Sequence, residues 1–307
     1  MADPITSSPF NADELAVQAR AGKGATGAGI RAFMPDQHRK FFALLPYLFV
    51  ATTDAEGWPL ATMLAGAPGF VHAPDPVTLQ VDALPAAQDP AADRFADGQE
   101  IGILGLDFAT RRRNRANGTI AARAAGGFTL AVRQSFGNCA KYIQRREVQP
   151  ASAASAAIEA LAGLDAAARA LIGQADTLFV ASRSRPDLGA AGGVDMSHRG
   201  GRPDFVRIDG DTLVVPDFAG NRYFNTLGNL LGEPRAALLF VDFASGDLLQ
   251  LQGRATIEWD ARSRSAGVER QWRFAVTRGW RRRAALPLRW SFIDYSPATL
   301  GTEVVSA

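Results

Sequence analysis

Cysteine is almost missing from this chain of 307 residues: Cys139 stands alone, so no intrachain disulfide forms. Histidine is scarce too, at three (His38, His72, His198), and with the single cysteine it shows no ligand spacing, so no metal site is expected. No apolar run approaches the length of a membrane span, which argues against a membrane partner. Neither sign of charge dominates: 33 basic against 31 acidic residues leave +2, which excludes a general nucleic-acid binder despite local arginine clusters. The first residues, Met-Ala-Asp-Pro-Ile-Thr-Ser-Ser-Pro, lack the basic and apolar regions of a signal peptide. With one cysteine, this sets a cytoplasmic location as the expectation.

What is present fits a globular protein: 47% hydrophobic and 21% charged residues, in a length that holds two ordinary domains. Residues 12–21 read as a short helix, and 37–45 as another leading into Pro46. The glycines of 22–27 match G-x-G-x-x-G, but no strand precedes them, so the match carries no dinucleotide site. Strands follow at 47–53, 60–64, 69–71, 78–82, 101–108 and 128–133, with turns rich in proline, glycine and aspartate between them. The Ala-rich stretch 150–173 reads as two short helices, the second capped by Asp165.

Beyond that stretch the pattern recurs. Leu48-Phe-Val-Ala51 returns as Leu178-Phe-Val-Ala181, and Gly66, Pro68 and Phe70-Val71 as Gly201, Pro203 and Phe205-Val206. Thr78-Leu79 returns as Thr212-Leu213, Asp107-Phe-Ala109 as Asp242-Phe-Ala244, and Gly118 as Gly253, all at offsets of about 130 to 135 residues. Two copies of one β-rich domain pack as a homodimer does, with a site between them. The expected organisation is an N-terminal extension over 1–36, a first half over 37–149, a helical linker over 150–174 and a second half over 175–307.

The copies differ where polar groups stand. Ser197-His198-Arg199 replaces Thr62-Met63-Leu64, and the turn 220–226 replaces a bland loop near 86–92. In reverse, Arg111-Arg-Arg-Asn-Arg115 replaces Gly246-Asp-Leu-Leu-Gln250. If the copies face each other, these sets line one shared site. Gly220, Asn221, Arg222, Asn225 and Thr226 stand between an apolar strand and a helix ending at Gly232. Donors at a helix start suit a phosphate, and they equally suit ordinary capping. Arg111, Arg113 and Arg115 share one strand face, either as a solvated edge or as the wall of an anionic substrate pocket. Asn138 and Lys141 follow Gly137 at what reads as another helix start. Asp195 and Ser197 share a strand face from which His198 points away, so the three do not form a nucleophilic triad.

Ser-His-Arg-Gly-Gly-x-Pro-x-Phe-Val (197–206), Gly-Asn-Arg-x-x-Asn-x-x-Gly-Asn (220–229) and Pro-Arg-x-x-Leu-Leu-Phe (234–240) resemble the pyridoxamine 5′-phosphate oxidase-like flavin-nucleotide-binding proteins. Residues 135–144 resemble a segment of that group too, with Ala140 where proline is expected, and the resemblance covers most of 30–300. It implies tandem FMN-binding split barrels: a mainly β fold of six-stranded antiparallel Greek-key barrels with flanking helices. It implies one FMN at the junction, its phosphate held by Asn221 and Arg222, with Met196, Ser197, His198 and Arg199 along the isoalloxazine edge. The oxidase's basic strand motif and its pyridoxal phosphate-binding residues have no match here, so the resemblance does not extend to vitamin B6 oxidation. The resulting expectation is an FMN-dependent oxidoreductase acting on a small, anionic substrate, as a monomeric pseudo-dimer or a homodimer. A flavin carrier without turnover, a haem-binding barrel with a histidine ligand, and a deazaflavin-binding barrel are the alternatives.

Overall fold

The computed structural model describes residues 8–154, 157–260 and 267–299. Strand β1 (Tyr47–Thr53), Tyr-Leu-Phe-Val-Ala-Thr-Thr, forms where β-branched and aromatic residues run without proline or glycine. That strand is buried on both faces because each face meets a different core. Leu48 and Val50 point into the core of the first half, and Tyr47, Phe49 and Ala51 into a core shared by both halves. The equivalent strand β10 (Thr177–Arg183) does the same: Leu178 and Val180 enter the second half's core, Phe179 and Ala181 the shared one.

The two sheets repeat one topology. The first runs β2 (Pro59–Ala65), β1, β5 (Glu100–Asp107), β6 (Arg112–Ala124), β7 (Gly127–Gly137), β4 (Thr78–Val81), β3 (Val71–Asp75). The second runs β11 (Val194–Gly200), β10, β14 (Arg235–Val241), β15 (Leu248–Glu258), β16 (Val268–Arg282), β13 (Thr212–Phe218), β12 (Arg207–Asp209). All described pairings are antiparallel. Register extends the match to single residues: Phe49 opposes Met63 as Phe179 opposes His198, and Leu104 opposes Arg115 as Leu239 opposes Gln250. Both long hairpins bulge at the same glycine, Gly118 and Gly253.

Connection lengths force each sheet to curl. β2 and β3 lie at opposite edges of the first sheet, yet only residues 66–70 join them. Such a link spans at most about 21 Å. The edges of a flat seven-stranded sheet stand about 29 Å apart. The link from β11 to β12, residues 201–206, imposes the same curl on the second sheet.

Short elements complete the frame. Helix α1 (Ala12–Arg20) starts in a capping box, with Asn11 Oδ1 accepting from the Glu14 amide and Glu14 accepting from the Asn11 amide. It packs on α4 (Asn225–Gly232), and its Val17 enters the second core. Helix α2 (Asp36–Ala43) sends Phe41 and Phe42 into the first core. Helix α3 (Ala166–Gln174) is capped by Asp165. Strand β8 (Arg145–Pro150) follows the first sheet and pairs with β17 (Leu288–Asp294) at the chain's far end.

Several expectations from sequence are corrected. The sheets hold seven and eight strands instead of six, and no pairing among the described residues closes either into a full barrel. Residues 69–70 form a turn, with Gly69 at φ 95° and the Phe70 amide donating to the Ala67 carbonyl, so that strand begins at Val71. The first Ala-rich helix of 150–173 is replaced by β9 (Glu159–Leu161), beside Arg281 of β16. The reason is that β16 runs past the end of β13 and leaves backbone groups open at 279–281, which β9 pairs. Residues 155–156 of that stretch lie outside the described residues. No helix begins after Gly137; residues 138–144 form a loop tied by Gln144 Nε2 to the Gly201 carbonyl at 2.9 Å.

The halves meet through Phe49 and Phe179, equivalent residues stacked with centroids 3.6 Å apart and planes 16° from parallel. Gly102 lets β5 press against β11, since a Cβ there would lie 2.5 Å from the Val194 carbonyl oxygen. Phe49→Ala and Phe179→Ala should each destabilise the chain by about 3–5 kcal/mol in guanidinium unfolding. A double-mutant cycle should return about 0.5–1.5 kcal/mol of coupling, whereas additive losses would place the stack outside the junction's energetics.

Candidate functional site

A cleft opens beside the shared core, with walls from both halves. Arg113 and Arg115 reach it from β6, Asn138, Lys141 and Tyr142 from the loop after β7, and His198 and Arg199 from β11. The far wall is the end of β13, the loop 219–224 and the start of α4. The cleft has a volume of about 170 Å³. The loop 219–224 is bent in an unusual way, with Arg222 at φ 62° and Phe224 at φ 60°. Two non-glycine residues in the left-handed region within three positions mark a constrained turn. Asn221 Oδ1 helps hold it by accepting from the Tyr223 amide at 3.1 Å.

Charge in the cleft is unbalanced. Five cationic side chains line it (Arg113, Arg115, Lys141, Arg199, Arg222) against two carboxylates, Asp217 and Glu269. Both carboxylates are already engaged by Arg270 at 2.9 Å, and Glu269 also by Lys23. Among the described residues only Arg115 has a carboxylate within 3.5 Å, Asp195 at 3.4 Å; Arg199 stands 3.9 Å from Asp217. Desolvation, then the neighbouring charges of Arg115 and Arg199, pulls Arg113 down to about 9, so it stays charged at neutral pH. Crowded cations next to a cleft favour an anion there.

His198 is 3% exposed. Its Nδ1 stands 3.1 Å from Arg113 Nη1. A guanidinium only donates, so Nδ1 accepts and the ring carries its proton on Nε2. Burial, then Arg113, Arg199 and Arg146, pushes this imidazole well below its ordinary pKa, so it is neutral. Its Nε2–H has no partner among the described residues.

Behind the cleft lies a dense polar layer. Arg115 donates to Ser197 Oγ at 2.5 Å, and Thr226 donates to the same oxygen at 2.7 Å. Asp195 accepts from Asn117 at 2.6 Å and from Asn229 at 3.1 Å. Glu14 accepts from Asn225 and the Asn11 amide. Burial, then the charge of Asp195, raises Glu14 from 4.5 to about 7.

The residues singled out from sequence therefore separate. Asn138, Lys141, Gly220, Asn221 and Arg222 line the cleft, as do Arg113, His198 and Arg199. Arg115, Asn225 and Thr226 line it too, with their side chains committed to the layer behind. Met196 and Ser197 do not: Met196 belongs to the shared core, and Ser197 is wholly buried beneath Arg115. Arg111 does not share the face of Arg113 and Arg115. It sits in the turn before β6 at φ 56° and is held by Asp294 and by the Ile143 carbonyl at 2.9 Å. Of the other histidines, His38 bonds Ser135 Oγ at 2.8 Å and His72 lies near Asp82, both away from the cleft. Sequence reasoning missed Glu14, Asn117 and Asn229. Glu14 had a signal in the Asn-x-x-Glu cap, which says nothing of its partner across the fold, and Asn229 closes the 220–229 motif, which gave it no role of its own.

The equivalent place in the first half is filled. The loop near 86–92 is not bland, because it carries Asp89, 4% exposed. Asp89 accepts from Thr62 at 2.5 Å, from Gln250 at 3.3 Å and from Arg282 at 2.5 Å. By register Thr62 matches Ser197, Gln250 matches Arg115 and Arg282 matches Asn138. A buried ion pair thus occupies one of two related positions, and the other is open.

No family model and no curated protein matches the chain. Among solved structures it is similar to HupZ of Group A Streptococcus (15% identity, 38% of this chain and 98% of that one, TM-score 0.30). It is also similar to a FAD-binding protein of Mesorhizobium loti (10% identity, 40% and 96%, TM-score 0.28). A third is MotI/DgrA, the inhibitor of motility of Bacillus subtilis (10% identity, 76% and 87%, TM-score 0.22). Likeness at this level carries no functional argument.

Glu14 gives the site a pH signature. The folded chain holds this proton up to about pH 7, whereas the unfolded chain releases it near 4.5. Its contribution is therefore full below about 4.5 and lost as pH rises through 7, a change of about 3 kcal/mol. Glu14→Gln should gain stability relative to the parent protein as pH rises from 4.5 to 8, read by urea unfolding. A constant difference across that range would contradict the raised value.

Proposed function

We propose that this chain is a tandem split-barrel flavoprotein that holds one FMN in the cleft between its halves. The observation that carries the reading is the cleft's uncompensated positive charge: Arg113, Lys141, Arg199 and Arg222 have no carboxylate within hydrogen-bonding distance among the described residues. The resemblance of 197–206 and 220–229 to the flavin-nucleotide-binding proteins supplies the identity of the anion. In this reading Asn221, Arg222 and the amides at the start of α4 hold the phosphate, which a helix start and a forked cation both suit. The cleft's volume is below the roughly 300–1,000 Å³ usual for small-molecule sites. It therefore suits part of a nucleotide, and the remainder lies in the open mouth beside Phe218 and Tyr142, whose rings stack at 5.2 Å.

A bound flavin supplies redox chemistry, and the chain supplies position, phosphate anchoring and a cationic surrounding. The reaction class is oxidoreduction of a small anionic substrate in cytoplasmic conditions. The carrier alternative is separated by whether bound FMN is reduced by NAD(P)H and reoxidised in air. A haem reading meets a physical obstacle at His198. A ligating imidazole normally donates its second ring N–H to an acceptor, whereas the Nδ1 of His198 faces a guanidinium.

Purified protein should quench FMN fluorescence on titration, and mass analysis of the released chromophore should return FMN and not a deazaflavin. Arg222→Ala combined with Asn221→Ala should weaken binding by roughly a hundredfold or more. Unchanged affinity in that variant, or no binding by the parent protein, would remove the assignment.

A further inference from the structure

The floor and the rim of the cleft present different chemistry. At the rim, Arg222 and Lys141 are exposed. At the floor, His198 is almost fully buried, flanked by Arg113 and Arg199, and its Nε2–H lacks a partner among the described residues. Arg113 spends Nη1 on His198 Nδ1, and Arg199 spends Nη1 on the His198 carbonyl at 3.1 Å. The Nε of each arginine is buried and unpartnered. Three residues that line one cleft thus carry buried donors without a partner among the described residues, two of them cationic and one neutral.

Buried donors left without acceptors cost free energy. Here two of the donors belong to arginines bonded to the third residue, His198, and the carboxylates of the surrounding layer are taken: Asp217 by Arg270, Asp195 by Asn117, Asn229 and Arg115. We propose that Arg113, His198 and Arg199 form an inner oxyanion subsite that takes the carboxylate of a small substrate. The assignment to a substrate rests on the reading that FMN is anchored by its phosphate at Asn221 and Arg222. A carboxylate presents two oxygens with about four lone-pair directions, which suits donors converging from two arginines and one imidazole. The neutral imidazole matters because its fixed Nε2–H adds a directional donor where a third cation would add only repulsion. The partner half has no counterpart: Met63 stands at the position of His198, Leu64 at that of Arg199 and Leu248 at that of Arg113.

Histidine ¹⁵N NMR tests this directly, because the chain has three imidazoles and His198→Gln assigns one. In the FMN-loaded protein, His198 should show the Nε2–H tautomer from pH 5.5 to 8, and its proton should move downfield, saturably, on addition of acetate. Arg113→Met should weaken that acetate response by roughly tenfold or more, and Arg199→Met should act in the same direction. Absence of an acetate response in the parent protein would overturn the subsite, as would titration of His198 near 6.5. A response to inorganic phosphate but not to acetate would overturn the carboxylate assignment. If FMN alone saturates the shift and acetate adds nothing, the floor holds the flavin's own oxygens and the substrate assignment falls. If FMN does not bind but acetate still moves His198, the flavin reading fails and the anion subsite stands.

Discussion

The stack of Phe49 on Phe179 is the constraint on which the rest of the architecture depends. Each ring comes from the same position of its own sheet, so the contact relates the halves as equivalent partners. Around it Met63, Leu104, Met196 and Leu239 build a core that belongs to neither sheet alone. Because β1 and β10 must bury both faces, their sequences are apolar at consecutive positions instead of alternating. The shared core also fixes where polar groups can stand. The strand positions that flank it on β6 and β11 are the ones that reach the cleft.

Duplication generates two related positions, and side-chain chemistry makes them unequal. In one, Asp89 and Arg282 neutralise each other under Thr62 and Gln250. A buried pair of this kind is costly to break, because removing one partner strands the other charge. In the other, arginines stand at or beside the matching positions with too few carboxylates to answer them. The first position is closed by its own residues, and the second is left to an anion from outside. The N-terminal helix α1 adds to the asymmetry, since Glu14 seals the layer behind the open cleft only.

Much of the frame was legible in the sequence because repetition exposes it. Matching Leu48-Phe-Val-Ala51 to Leu178-Phe-Val-Ala181, and Gly118 to Gly253, implies the shared register that the sheets display. The match of Ser197-His198-Arg199 to Thr62-Met63-Leu64 is likewise the equivalence of β11, paired with β10, and β2, paired with β1. Local propensity failed where pairing across the fold decided the outcome. Ala-rich residues before Gly163 became β9 because an overhanging β16 offered backbone partners. Arg111 left the cleft because a turn reversed it toward Asp294, far along the chain. Met196 and Ser197 sit in the right strand but face inward, and their depth comes from the partner sheet, which a linear motif does not display. Asp89 looked unremarkable because its significance lies in Arg282, distant in sequence and adjacent in space.

The most direct measurement is native mass spectrometry of the chain titrated with FMN at low ionic strength. One FMN per chain at saturation follows from one open cleft and one position closed by Asp89 and Arg282. Two per chain would show that the buried pair does not close the first position. None would show that the cationic cleft serves a different anion.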